Sequence, residues 1–334
     1  MSTLFSIKGG TRSRRYLHSP SIMRFTTALL VVAAIASPAL STVIREQKLN
    51  VGSFTDEFSR FKMFFFSAAA YADKPQLCIT SAYPKGNATI QRVVEVVCDG
   101  VRSDSCRGFT AISEEDKAII ISFRGTSQFL QIVQETIKTI FFPEEFVAGG
   151  KVSNYFYTAF KTVWKGGLKD DFLTLRNKYP DYEVWVTGHS LGGAMASLCS
   201  ATLVHEGLVN PEKLKMITFG QPRVGDKTYV DAHNALVPYS FRVVHNRDLV
   251  AHVPPEFFPD AGLFDGYRHH ESEVFYKNDM SFGSDYKICN KDESWRCSDG
   301  LIFTLSIEDH LHYYQSKEYI TDYGEDGCPI KLVQ

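Results

Sequence analysis

Tyr182-Glu183-Val184-Trp185-Val186-Thr187-Gly188-His189-Ser190-Leu191-Gly192-Gly193 decides the fold of this chain. Residues 182–187 read as a buried strand, and Ala194 to Val204 has the apolar density and helix formers of a packed helix. Between them stands a serine with glycines at i−2 and i+2, the pattern of a nucleophile elbow. Such a turn holds its serine in a strained backbone conformation, and side chains at Gly188 or Gly192 would collide with the strand and helix that close on it. The hydroxyl is exposed at the carboxyl end of a sheet, and the helix N-terminus behind it favours negative charge. A glycine-rich turn with an idle surface serine is the rival reading, which the flanking strand and helix disfavour.

An elbow needs an acid and then a base downstream. The strand-like run Lys215 to Phe219 leads to Asp226, and Ser240 to His245 leads to Asp248. Both acids follow a strand, where a parallel sheet collects ligand-facing residues. Asp248 is preferred, because its strand should lie further from Ser190 and leave room for an imidazole. Asp226 reads as a loop-bracing carboxylate. Five histidines follow Asp248. His252 opens a Val-Pro-Pro turn and suggests a structural role. His269 and His270 adjoin a short alternating run, Ser272 to Tyr276, and read as surface or strand-edge residues. Spacing does not separate His310 from His312.

Four motifs together resemble the class 3, fungal-type triacylglycerol lipases. They are Gly188 to Gly193, Phe219-Gly220-Gln221-Pro222-Arg223-Val224-Gly225, Asn246 to Pro255, and Asp309-His310-Leu311-His312-Tyr313. They come in the family's order, and the likeness runs from about Phe54 to the C-terminus, nearest to secreted animal, particularly nematode, members. The resemblance implies Ser190 as nucleophile, Asp248 as acid and His310 as base, the family's histidine following an Asp and preceding Leu.

The buried-strand run Ala118 to Phe123 ends in Arg124-Gly125-Thr126. By the resemblance Thr126 supplies one oxyanion donor, and the backbone N–H of Leu191 the second. Beyond it, Phe129, Leu130, Val133, Ile137, Ile140 and Phe141 fall on one helical face. In related lipases a short helix here covers the site and opens at a lipid interface. An apolar stripe shown on opening suits an oil or membrane surface. A core-packed helix is the rival, and the tryptophan common in fungal lids has no match.

Lys8, Arg12, Arg14, Arg15 and Arg24 precede the uncharged segment Phe25 to Ile44, and Ala39-Leu40-Ser41 offers a cleavage site before Thr42. The pattern is a signal peptide and implies secretion; tethering by an uncleaved signal anchor is the alternative. Seven cysteines fit an oxidising route. Cys199, in the helix after the elbow, reads as a buried free thiol. Local spacing suggests Cys98 with Cys106 and Cys289 with Cys297, leaving Cys78 with Cys328; the resemblance supports the last two. Asn87-Ala88-Thr89 is a glycosylation acceptor.

The formal net charge is −2 and no basic run follows the leader, which speaks against nucleic acid as a partner. No zinc spacing or dinucleotide fingerprint is present, so no metal or other cofactor is implied. The expectation is an extension and signal peptide over residues 1–41, then one α/β-hydrolase domain over 42–334, with a predominantly parallel central sheet flanked by helices. Its predicted function is secreted carboxylic ester hydrolysis, most simply of triacylglycerol, with a lipid interface as partner. The alternatives are a phospholipase A1-like or aromatic-acid esterase and a non-catalytic lipid-binding homologue.

Overall fold

A computed structural model of the chain describes residues 52–98, 105–126, 142–256, 266–301, 304–314 and 318–329. The strands among them are β1 (Ala88–Val97), β2 (Ser105–Ser113), β3 (Ala118–Phe123), β4 (Pro143–Glu145), β5 (Lys151–Ser153), β6 (Glu183–His189), β7 (Leu214–Phe219), β8 (Ser240–His245), β9 (Glu273–Tyr276) and β10 (Lys287–Cys289). Eight form one sheet in the order β1-β2-β3-β6-β7-β8-β9-β10, and β4 pairs with β5 apart from it. Strands β3, β6, β7, β8 and β9 run parallel. The flanks β1–β2, β2–β3 and β9–β10 are antiparallel.

Period-2 alternation sorts the central strands between two apolar layers. Ile119, Ile121 and Phe123 of β3, Val184 and Val186 of β6, and Met216 of β7 enter one layer. Ile120, Trp185, Ile217, Phe219 and Val243 point into the other. The first layer is covered by α3 (Asn154–Val163), α4 (Lys169–Lys178) and α5 (Leu191–His205). The second is covered by α1 (Phe64–Ala69) and α8 (Ile320–Glu325), through Phe64, Phe66, Ile320 and Tyr323. Two shorter helices, α2 (Pro75–Ala82) and α7 (Ile307–Leu311), and the ten-residue α6 (Lys227–Leu236) complete the set used below. Each Phe so buried contributes on the order of 1.5–3 kcal/mol.

Helix α5 is buried on all sides from Leu191 to Leu203, so it needs no polar face. Its hydroxyls are satisfied internally. Ser200 and Thr202 donate to the carbonyls of Ala196 and Leu198, both at 2.8 Å, and Ser197 pairs with the Tyr229 hydroxyl at 2.7 Å.

Disulfides join Cys78 to Cys328, Cys98 to Cys106 and Cys289 to Cys297, and Cys199 is a buried free thiol. The first ties α2 to the turn after α8, across 250 residues of chain.

The surface or strand-edge reading of His269 and His270 is corrected. Strand β9 lies inside the sheet between β8 and β10, and all four of its residues are buried. His269 and His270 are 2% and 1% exposed. Four buried residues are too few for alternation to mark a solvent face.

Among the described residues no helix is long and apolar enough to cross a membrane. The expected signal segment and the six residues of the expected lid stripe lie outside the described residues.

Candidate active site

Ser190 joins β6 to α5 with φ +61° and ψ −129°, a conformation a side-chain-bearing residue adopts only under constraint. The constraint is visible on both sides. A Cβ on Gly188 would lie 2.3 Å from the Gly192 carbonyl oxygen, and one on Gly192 would lie 2.2 Å from that of Phe123. The glycines let β6, α5 and the end of β3 close together, and the Ser190 N–H is fixed on the Phe219 carbonyl at 3.0 Å. Ser190 does not cap the helix with its hydroxyl. Contrary to the exposed hydroxyl expected from the sequence, its Oγ is buried among the described residues, and it has no hydrogen-bond partner among them.

Two strands away, β8 delivers Asp248. Its Oδ1 accepts the N–H of Val250 at 2.7 Å, which folds the chain tightly after the acid. The segment carrying His310 is fastened directly to this loop. Ser306 N–H donates to the Arg247 carbonyl at 3.0 Å, and Leu249 N–H to the Ser306 carbonyl at 3.2 Å. The Ser306 hydroxyl then caps α7 through the Asp309 N–H at 2.9 Å. Asp309 reaches back and accepts from Asn246 Nδ2 at 3.0 Å and the Arg247 N–H at 3.1 Å. An acid before His310 is thus a clasp between the two loops.

The clasp sets His310 on Asp248. His310 Nδ1–H faces both carboxylate oxygens, at 2.9 and 3.0 Å, and both side chains are fully buried. With its proton on Nδ1, the ring offers the Nε2 lone pair, an atom without a partner among the described residues. Burial would raise the Asp248 pKa, but His310 and the Tyr313 hydroxyl hold it down to about 2. The carboxylate therefore stays charged. A strained serine, an imidazole with Nε2 open and a buried carboxylate on Nδ1 are the parts that base-assisted nucleophilic attack requires.

The other sequence candidates separate cleanly. Asp226 caps α6, accepting the Tyr229 N–H at 2.8 Å. His252 turns its Nδ1 to the Asp248 carbonyl at 2.8 Å. His269 donates through Nε2 to the Ala251 carbonyl at 2.6 Å, and His270 pairs with Gln221 at 2.9 Å. His312 faces away, onto the Glu308 carbonyl at 3.0 Å. Thr126 is half-buried just past β3. A Cβ on the preceding Gly125 would meet Ser190 Cβ at 3.0 Å, so this strand end touches the elbow. Leu191 is the first residue of α5, where backbone N–H groups lack intrahelical acceptors.

Sequence reasoning left four contributors without roles. Tyr313 donates to Asp248 Oδ2 at 2.6 Å. Gly220, at φ +55°, leaves space that a Cβ would fill, 2.7 Å from Asp248 Oδ2 and 2.8 Å from His310 Nδ1. His189 stacks on His310, and the Tyr71 hydroxyl pairs with His189 Nδ1 at 2.7 Å. Gly220, His189 and Tyr313 stood inside the quoted motifs, the one signal available for them, and Tyr71 lay outside all four. Among the described residues, Glu256, Glu293 and Asp299 lie close enough to share a cation, but the Arg223 guanidinium already pairs with all three, at 3.4, 2.9 and 3.2 Å.

Comparison with known proteins agrees with this architecture. The family profile described as Lipase (class 3) matches residues 120–258. A lipase of Caenorhabditis elegans is 33% identical over 333 residues, covering 92% of this chain and 91% of that one. The crystal structure of a lipase from Rhizopus microsporus var. chinensis superposes with a TM-score of 0.68 at 28% identity, over 80% of this chain and 90% of that one. A triacylglycerol lipase whose catalytic centre is described as a serine protease triad superposes at 0.65 with 26% identity, over 78% and 96%. The chain therefore belongs to the class 3 lipases, serine ester hydrolases on the α/β-hydrolase fold.

Proposed function

We propose that the protein is a secreted triacylglycerol lipase working through Ser190, His310 and Asp248. The observation that carries this reading is the buried Asp248–His310 pair beside the strained Ser190 elbow. Ser190 Oγ attacks the ester carbonyl carbon while His310 Nε2 takes the hydroxyl proton. Asp248 holds the ring's tautomer and stabilises its charged form. The N–H groups of Thr126 and Leu191 receive the developing oxyanion, each worth ~2.7–4 kcal/mol in such sites. Collapse of the tetrahedral species expels the glyceride alcohol, which takes the proton from His310. Water then attacks the acyl-enzyme with His310 again as base, and the fatty acid leaves.

The substrate side rests on the stripe Phe129, Leu130, Val133, Ile137, Ile140 and Phe141, directly after the oxyanion strand. It acts as a cover whose apolar face meets the lipid. Export follows from residues 1–41 serving as extension and signal peptide ahead of a single hydrolase domain, and Asn87, in the turn before β1, is the glycosylation site.

A fluorophosphonate probe should label Ser190, and the enzyme should prefer emulsified triglyceride to soluble short-chain esters. Ile137→Glu should cut the first activity and spare the second, with the melting temperature unchanged. Preference for phospholipid or aromatic esters would redirect the substrate, and absence of labelling would end the lipase reading.

A further inference from the structure

The elbow histidine has a side chain that the reaction above does not use. His189 Nε2 lies 2.7 Å from the backbone carbonyl oxygen of His310, and its Nδ1 lies 2.7 Å from the Tyr71 hydroxyl. Its ring stacks on the His310 ring at 4.4 Å between centroids, with 29° between planes. These contacts determine one another. A carbonyl can only accept, so the His189 proton sits on Nε2. Nδ1 of a neutral ring must then accept, so Tyr71 donates to it. Burial first, then electrostatic interaction with the neighbouring His310, lowers the His189 pKa to about 3, which keeps the ring neutral. Burial likewise raises that of the Tyr71 phenol, which keeps its proton.

Tyr71 has a second attachment. The end of β3 packs against the same phenol oxygen, where a Cβ on Gly125 would come within 2.2 Å of it. A continuous run of contacts therefore leads from the end of β3, through Tyr71 and the residue next to Ser190, to the main chain of His310. These parts come from segments 118 and 121 residues apart in sequence.

We propose that His189 and Tyr71 are positioning residues that hold the His310 backbone and ring in register with both Ser190 and the oxyanion strand. The clasp and Asp248 fix the imidazole to the loop after β8, but they leave the two loops free to shift together relative to Ser190. The carbonyl tether removes this freedom, and the stacked ring closes one side of the imidazole. Loosening it displaces the base without removing it. Small displacements of reacting groups cost about ten- to hundredfold in rate.

The inference rests on His310 being the base, so His310→Ala is measured beside the relay variants. Tyr71→Phe and His189→Phe keep the rings and remove the hydrogen bonds; His189→Gln keeps a donor and an acceptor and removes the ring. Turnover is read per active site, counted by fluorophosphonate titration, on a soluble short-chain ester. The expected result is kcat lower by about tenfold or more in Tyr71→Phe and His189→Phe, with KM within about twofold, and substantial recovery in His189→Gln. Unchanged kcat per titrated site, with only fewer active molecules or a lower melting temperature, makes the pair structural and overturns the proposal. Full activity in His310→Ala would instead overturn the reading of the triad itself.

Discussion

Tyr313 gives its hydroxyl proton to Asp248 Oδ2 across 2.6 Å, and the Tyr313 hydroxyl oxygen itself accepts the His245 N–H at 3.3 Å. Tyr313 is fully buried, so the bond operates away from solvent. A hydrogen bond to a buried charge contributes about 1.5–3 kcal/mol. Tyr313→Phe should lower stability by about that amount and raise the Asp248 pKa from about 2. Turnover should fall by roughly three- to tenfold, because a less firmly charged carboxylate stabilises the imidazolium less well. Denaturant unfolding and kcat on the same variant check both effects, and no change in either would assign Tyr313 to packing.

Ser190→Ala, His310→Ala and Asp248→Asn should each remove most ester turnover, by several orders of magnitude. Because the groups act as a unit, Ser190→Ala with His310→Ala should be little worse than Ser190→Ala alone. His312→Ala should stay near the parent, since its ring faces Glu308. Collapse in His312→Ala with activity kept in His310→Ala would transfer the base to residue 312.

What could be read from the sequence followed from the range of the forces involved. The elbow was legible because its glycines answer a local steric demand, the near-contacts of Gly188 with Gly192 and of Gly192 with Phe123. Asp248 was separable from Asp226 because strand order alone places β8 beyond β7. His310 against His312 was not separable by spacing, since the Ser306–Arg247 and Asp309–Arg247 bonds that aim the loop join segments about 60 residues apart. The burial of His269 and His270 was misread for a related reason. Their surroundings are assembled by Arg242, Gln221 and His233 from three other segments, and no local pattern announces that.

Those buried histidines give the protein an acid limb. Burial, and for three of them the nearby Arg242 charge, lowers the pKa of His233 to about 3 and of His269 and His270 well below the usual value. His189 lies at about 3 through burial and His310. Unfolding releases all four to about 6.5, so below that pH the unfolded chain binds more protons. Stability is full above about pH 6.5 and falls as pH drops toward 3, by up to about 1.4 kcal/mol per pH unit for each group. Glu293, whose pKa burial raises, opposes this as a single group. Denaturant midpoints from pH 8 to 4 should be level and then fall steeply. His233→Phe should soften the fall, since neither nitrogen of His233 has a partner among the described residues. A flat profile between pH 7 and 5 would contradict the account.

The bridge from Cys78 to Cys328 spans 250 residues, whereas each of the other two spans 8. In the chain-entropy account a cross-link stabilises by restricting the unfolded chain, and the effect grows with the logarithm of the loop. It also fastens α2 to the end of α8, whose Gly324 packs so closely that a Cβ would come within 2.2 Å of the Ala68 carbonyl oxygen. That contact holds α1, and α1 runs into Tyr71 of the His310 tether. Cys78→Ser with Cys328→Ser should therefore cost about 5 kcal/mol, more than opening either short bridge at about 2.5 kcal/mol. Its loss should also reach the site, lowering kcat alongside the melting temperature, while opening Cys98–Cys106 at the far edge of the sheet should leave kcat unchanged. Non-reducing peptide mapping with unfolding and kinetics on the three double variants decides it. Equal stability losses would remove the entropic argument, and an unchanged kcat in the long-bridge variant would remove the link from α1 to the site.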